Sequence, residues 1–442
     1  MKRNEQTIRD LEFSRRDFLR LGLAGAAGIF VAPHPFADPV FADDKNPLSG
    51  ANLFRDVVAY SDLGEHRTAT EIDLKTAEWI AKELKSAGFA TNFQSFTVKQ
   101  FFPTETSLKI GGKNFAAFPL WFPNTTKLLR APLRKAGEKP DGKAAHIALV
   151  RFPFDARASI FKSSGHKEII DKTIAAGATG IVAVTEGATG EIIGLNAMLT
   201  TEPWAVPILC VGGKDAEKLE AEAAKNSSAE IVLQGKTEAA AEAKNVVGKF
   251  GKGKKTILVS TPQSGWFRCA GERGAGVAMF LGLARWAAKS RLDANWIFVS
   301  TSGHEFGGLG MKAFLEKSAP KKEDVFAWLH LGANFAVWNY EKTPDGLRKT
   351  GKAESRRGIP AAPELTAPLS KAFQNTGLSV TARAIGEVEL LLKDGYRAFG
   401  LVGANAFHHV PTDLPDVTAP ELLEPVGAAL VKSFAEIFAT AK

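Results

Sequence analysis

The side chains with chemistry to offer are imidazoles and carboxylates placed just after apolar, strand-like runs. His304 and Glu305 open a Gly-rich turn, Gly303 to Gly310, behind the run Asn295 to Thr301. His330 ends the run Val325 to Leu331, Glu272 stands just ahead of a helix start, and Phe407-His408-His409-Val410-Pro411-Thr412-Asp413 follows the run Ala398 to Val402. Such groups move protons near neutral pH or ligate a metal ion. Each also has a plainer reading. Glu272 suits a helix N-terminus on dipole grounds alone. Glu305 lies in a loop at a strand end, where sites concentrate. His304 can take a proton or donate a hydrogen bond to a substrate. His330 reads equally as a ligand and as a histidine satisfied at the edge of the core. His408 and His409 are adjacent, so they are expected to point to different sides. Asp413 suits a turn before Pro415. Ser264 has no evident base, so a serine nucleophile is not expected. Trp266 and Arg268 are expected to shape a substrate pocket, Arg268 by gripping a carboxylate bidentately.

The elements that must position these groups follow from periodicity. Ala77, Ile80, Ala81 and Leu84 recur at helical spacing and Gly88 stops the helix. Phe93 to Val98, His146 to Phe152, Gly180 to Val184 and Val206 to Val211 read as strands, with helices over Ile169 to Gly177 and Lys214 to Lys225. Beyond Asn245 come strands at Thr256 to Ser260, Asn295 to Thr301, Val325 to Leu331 and Ala398 to Val402, with a helix over Gly274 to Ala288. Strands alternating with helices predict an α/β fold, a mostly parallel mixed sheet covered by helices on both faces. Ligands of such sheets sit at the carboxyl ends of the strands. The loops after Ser260, Thr301, Leu331 and Val402 are therefore the expected place for a site. Lys236 to Ala243, rich in Ala and Glu, reads as a hinge.

Composition bounds the function. The chain has 442 residues, 45% hydrophobic and 24% charged, the balance of a soluble protein with a sizeable core. The formal charge of +8 is spread along the chain rather than gathered in a basic stripe with aromatics, which argues against nucleic acid as a partner. Ser14-Arg15-Arg16-Asp17-Phe18-Leu19-Arg20 precedes a short apolar run, Leu21 to Val31, and Val40-Phe41-Ala42 offers a cleavage site. That pattern reads as a twin-arginine signal peptide over residues 1–42, whose apolar run is too short to span a bilayer, which takes roughly 20 helical residues. The expected product is periplasmic or secreted, without stable membrane insertion. An oxidising compartment permits a disulfide. Cys210 and Cys269 fall in different parts of the chain, and two buried thiols are expected.

Asn245-Val246-Val247-Gly248, then Glu272-Arg273-Gly274-Ala275-Gly276-Val277-Ala278, then Ile297 to Gly310 and the Phe407 to Asp413 ending together resemble the zinc aminopeptidase family. This family includes bacterial leucyl aminopeptidases, glutamate carboxypeptidases and glutaminyl cyclases. Gly177-Ala178-Thr179-Gly180 and Val206-Pro207-Ile208 resemble the protease-associated domain often inserted in these enzymes. The resemblance implies a catalytic domain over 45–115 and 244–442 and an insert over 116–243. It also implies two zinc positions, on which this sequence departs from the family. A first private histidine falls at Thr261, a bridging aspartate at Glu272, a general-base glutamate at His304 and a private aspartate at His330. The private glutamate Glu305 and the last histidine His409 are kept. One ion is then expected at Glu272, Glu305 and His409, with His330 as a further candidate ligand. Three protein ligands and a water make a catalytic zinc pattern. His304 is the expected catalytic residue, Glu387 a substrate-side acid, and Asp413 an orienter of His409. The resemblance implies a hydrolase of peptides or small amides. One zinc or none, an inactive binding protein, and a non-peptide substrate all stay open.

Overall fold

A computed structural model describes residues 45–137, 145–162, 165–199, 202–381, 384 and 386–440. The expected export segment and its cleavage site lie outside them. The strands are β1 (Ala90–Ile110), β2 (Lys113–Phe115), β3 (Phe118–Pro119), β4 (Thr126–Lys135), β5 (Ile147–Phe152), β6 (Gly180–Thr185), β7 (Ile208–Gly212), β8 (Ser228–Phe250), β9 (Lys255–Pro262), β10 (Ala294–Thr301), β11 (Val325–Leu331), β12 (Trp338–Thr343), β13 (Gly346–Ala353), β14 (Arg357–Pro360), β15 (Ser379–Thr381) and β16 (Ala398–Gly403). The helices are α1 (Gly50–Asp62), α2 (Glu71–Ser86), α3 (His166–Ala175), α4 (Ala216–Ala224), α5 (Ala275–Ala287), α6 (Leu309–Lys317), α7 (Thr366–Phe373), α8 (Glu387–Lys393) and α9 (Pro420–Ala439). Among the described residues no helix is long and apolar enough to cross a membrane.

One mixed sheet runs β15-β14-β16-β11-β9-β10-β8-β4-β5-β6-β7-β3. Strands β10, β9, β11 and β16 are parallel neighbours, so their carboxyl ends open on one edge. Their residues alternate between two cores. Ile257 and Val259 of β9 and Trp296 and Phe298 of β10 face a core shared with α1, α5 and α9. Leu258, Ile297 and Val299 face the opposite one, closed by α6 and α8. Burial on both faces explains why these strands read as continuous apolar runs. It also explains α5, whose small and apolar residues are buried almost throughout its length.

The expected hinge at Lys236 to Ala243 is instead the middle of β8, paired antiparallel with β1 from Ala90↔Lys249 to Ile110↔Ala229. The same strand pairs with β4 at one end and β10 at the other. An Ala- and Glu-rich stretch has low strand propensity, and pairing with β1 overrides it. Residue 243, the expected border of an insert, lies inside this strand. Cys210 and Cys269 are both free and buried, in separate cores.

Asp73, in the first turn of α2, ties that helix to the site edge. Its carboxylate accepts from Ala69 N at 2.8 Å, Ser302 Oγ at 2.6 Å and Gln263 Nε2 at 3.2 Å. Burial pushes its pKa up to about 7 despite those bonds. The folded state therefore holds a proton that the unfolded chain releases near pH 4, so this group's stabilisation is lost as pH rises from about 4 to about 7. Urea unfolding across that range should show wild type losing about 1.4 kcal/mol per pH unit relative to Asp73→Asn. A difference that stays flat with pH would refute the shift.

Candidate metal centre

The centre begins at the turn between β9 and α5. Cys269 adopts a left-handed backbone, φ 35°, and Ala270–Gly274 form a π-helical turn before α5. Such turns in helices often sit at functional sites. Asp413 holds this one: its carboxylate accepts from Gly271 N at 2.9 Å and Glu272 N at 3.0 Å. Burial, reinforced by the nearby charge of Glu272, pushes Asp413 up to about 7. Asp413 thus steadies Glu272 through its backbone and is not the orienter of His409.

Glu272 and Arg273 are consecutive and both buried, with Arg273 Nη2 2.7 Å from Glu272 Oε1. Arg273 Nε also donates to Ser264 O at 3.1 Å. His409 Nε2 lies 3.1 Å from the same Glu272 oxygen, and His408 Nδ1 3.9 Å from it. Burial resists ionisation of Glu272, but Arg273, His409 and His408 outweigh it and hold the carboxyl well below the ordinary range. Its second oxygen, Oε2, is buried without a hydrogen-bond partner. Among the described residues, Glu272, His408 and His409 are the one group of His, Cys, Asp and Glu side chains close enough to hold an ion, their ligand atoms lying within 4.8 Å of one another. A bare carboxylate oxygen with two imidazoles is a donor set that fits one zinc ion, with coordination left over for substrate or water.

Glu305, expected as a ligand, points elsewhere. Its carboxylate accepts from Thr68 N at 3.1 Å, Thr68 Oγ1 at 2.7 Å and Ser264 Oγ at 2.7 Å. Ser264 Oγ in turn accepts from Gly303 N at 3.0 Å and His304 N at 3.3 Å, so the pair braces the Gly-rich turn. His330 is likewise no part of the cluster. Its Nδ1 is 3.0 Å from Ser260 Oγ, and burial pushes it down to about 4. Thr261 Oγ1 donates to Leu331 O at 3.0 Å. Trp266 is core: its Nε1 donates to Asn196 Oδ1 at 2.8 Å and its ring packs edge-on to Trp121. Arg268 is exposed to solvent.

His304 and Glu387, expected in separate roles, form a pair. His304 Nδ1 is 2.9 Å from Glu387 Oε1, and Thr301 Oγ1 donates to Oε2 at 3.4 Å. Glu387 is buried, so it does not face a substrate, while the His304 side chain keeps 20% exposure. Burial raises the Glu387 pKa, but the bond to His304 and the charges of His330 and Arg273 bring it below the ordinary value. A carboxylate only accepts, so His304 carries a proton on Nδ1, and Nε2 is the nitrogen turned away from Glu387. Sequence reasoning passed over Arg273 and Thr68 and turned His408 away. Arg273 had one visible signal, a charge following Glu272 in an otherwise small and apolar stretch.

No protein-family model and no curated protein matches the sequence. The fold has clear relatives among solved structures. BSAP, a zinc aminopeptidase from Bacillus subtilis, superposes with a TM-score of 0.69 at 17% identity, over 88% of this chain and 95% of that one. A peptidase precursor from Shewanella amazonensis gives 0.68 at 18% identity over 91% and 98%. An aminopeptidase from Aneurinibacillus gives 0.60 at 15% over 88% and 93%. The chain has the fold of these aminopeptidases.

Two variants separate the roles of the glutamates. Glu272→Ala leaves the Arg273 guanidinium buried without its partner and should destabilise the protein by about 3–5 kcal/mol in urea melts. Glu305→Gln keeps the volume but turns a donor toward Thr68 or Ser264. It should cost about 1–3 kcal/mol and leave the number of zinc ions bound unchanged.

Proposed function

We propose that this protein is an exported, metallopeptidase-like hydrolase of peptide or small amide bonds, with a single zinc ion at Glu272, His408 and His409. The observation that carries the reading is the buried Glu272 carboxylate, one oxygen of which has no hydrogen-bond partner, grouped within 4.8 Å with ligand atoms of two imidazoles. The aminopeptidase fold supports it. Zinc bound there would polarise the scissile carbonyl and lower the pKa of water.

The chain's own residues supply the rest. Glu387 holds His304 in the tautomer that leaves Nε2 free, and the partial exposure of the ring lets that atom take a proton from attacking water and return it to the leaving amine. Arg273 balances the charge of Glu272. His408 is pushed down to about 3 by burial and by His409, so in the metal-free protein it is neutral, with Nδ1 3.2 Å from Asn334 Nδ2. The Arg15-Arg16 segment supports export by the twin-arginine route.

One feature favours a second reading, ligand binding without catalysis: Arg273 already satisfies one oxygen of Glu272. Metal analysis of protein produced in zinc-containing medium separates the two. About one equivalent, lost in His409→Ala, supports the hydrolase. Less than about a tenth of an equivalent would sink the zinc site. In a screen of aminoacyl and acyl-amino-acid amides, His304→Gln should lower kcat by about 100- to 10,000-fold with zinc retained. Undiminished turnover in that variant would remove His304 from the reaction.

A further inference from the structure

The last histidine of the centre is held by a segment far from it in sequence. His409 Nδ1 is 2.8 Å from Gly194 O, and Gly194 N donates back to His409 O at 2.8 Å. Gly194 belongs to the stretch before β7, within the residues that resemble an inserted domain. The same stretch is tied to the loops around the centre at three more points. Ala197 N donates to Glu305 O at 3.0 Å, Trp266 Nε1 to Asn196 Oδ1 at 2.8 Å, and Thr412 Oγ1 to the Glu191 carboxylate. Ile193 and Leu195 pack with Val410 and Phe407.

We propose that residues 191–197 are a working part of the centre, and that the Gly194 carbonyl is the group that sets the tautomer and direction of His409. A carbonyl oxygen can only accept, so Nδ1 must carry the proton. In the neutral ring Nε2 is then a lone pair. It stands 3.1 Å from Glu272 Oε1, a separation that a second ring proton on Nε2 or a metal ion can hold. The carbonyl therefore makes the His409–Glu272 pair a receptor for positive charge. Without it, the ring is free to donate from Nε2 to Glu272 and close the site to an ion. Backbone carbonyls commonly orient metal-bound histidines in this way. Here the carbonyl comes from another part of the fold, where Asp413 had been expected. The two-way bond also steadies His409 at φ 61°, a left-handed conformation unfavourable for a non-glycine residue. Residue 194 is glycine for a packing reason: a Cβ there would lie 2.7 Å from Trp266 Cγ. A larger residue must push the stretch off Trp266 and take the carbonyl with it.

The metal consequence rests on the zinc reading above; the tautomer does not. The test uses the metal-free full chain with isotope-labelled histidine, read by two-bond proton–nitrogen correlations and assigned with His409→Gln. Wild type should show His409 protonated at Nδ1. Gly194→Val should move it toward the Nε2–H form and weaken zinc binding about 10- to 100-fold in a chelator competition. Asn196→Ala, a milder loosening, should move both in the same direction, and the exposed-site control Phe154→Ser should move neither. An unprotonated Nδ1 in wild type overturns the proposal, whatever becomes of the variants. So does a folded Gly194→Val protein with the wild-type spectrum, or with undiminished zinc affinity when wild type binds the ion. A wild type that binds no zinc overturns the functional reading, and the spectra still decide the tautomer.

Discussion

Glu272 and Arg273 are neighbours in the chain and are both removed from water. A buried charge is tolerated only when paired and hydrogen-bonded, and one partner without the other is among the costlier faults a core can carry. Much of the local architecture answers that constraint. The π-helical turn sets the two side chains where they meet, and Asp413 grips the backbone amides at its start. Ser264 O takes the other side of the guanidinium. His409 and His408 bring further donor atoms to the same carboxylate. One oxygen of the carboxylate is left without a hydrogen-bond partner.

Four further buried carboxylates near this edge are handled differently. Glu305 is satisfied by two hydroxyls and an amide, and so serves as a brace for the Gly-rich turn. Glu387 is bonded to the partly exposed imidazole of His304 and fixes which ring nitrogen faces it. Asp73 and Asp413 accept from neutral amide and hydroxyl groups and are pushed up to about 7 by burial. Four parallel strands ending on one edge make this concentration possible, because each contributes a loop to the same small volume. The long pairing of β1 with β8 continues the sheet away from that edge. From there the stretch before β7 returns to grip His409.

Most of the frame was legible in the residues. The apolar runs ending at Thr301, Leu331 and Val402, the glycine-ended helices and the alternation of the two predicted a parallel sheet and the edge where its site lies. A run buried on both faces shows itself without any knowledge of its neighbours. The continuity of β8 through Lys236 to Ala243 was not legible. Nothing local favours a strand there; only the partner β1 does.

The site divides along the same line. By itself the sequence determined which loops hold the chemistry and which residue types they offer, because strand ends and turn glycines are local features. It could not determine which carboxylate meets which histidine. Glu272 and Glu305 are alike in type and in nearness to a strand end. One meets His409, 137 positions away, and the other Thr68, 237 positions away. His304 and Glu305 are adjacent and face different partners. Those choices depend on side-chain direction at special backbone positions and on distances across packed loops. Only the folded chain sets such distances, since burial makes each charge take the nearest partner that can neutralise or hydrogen-bond it.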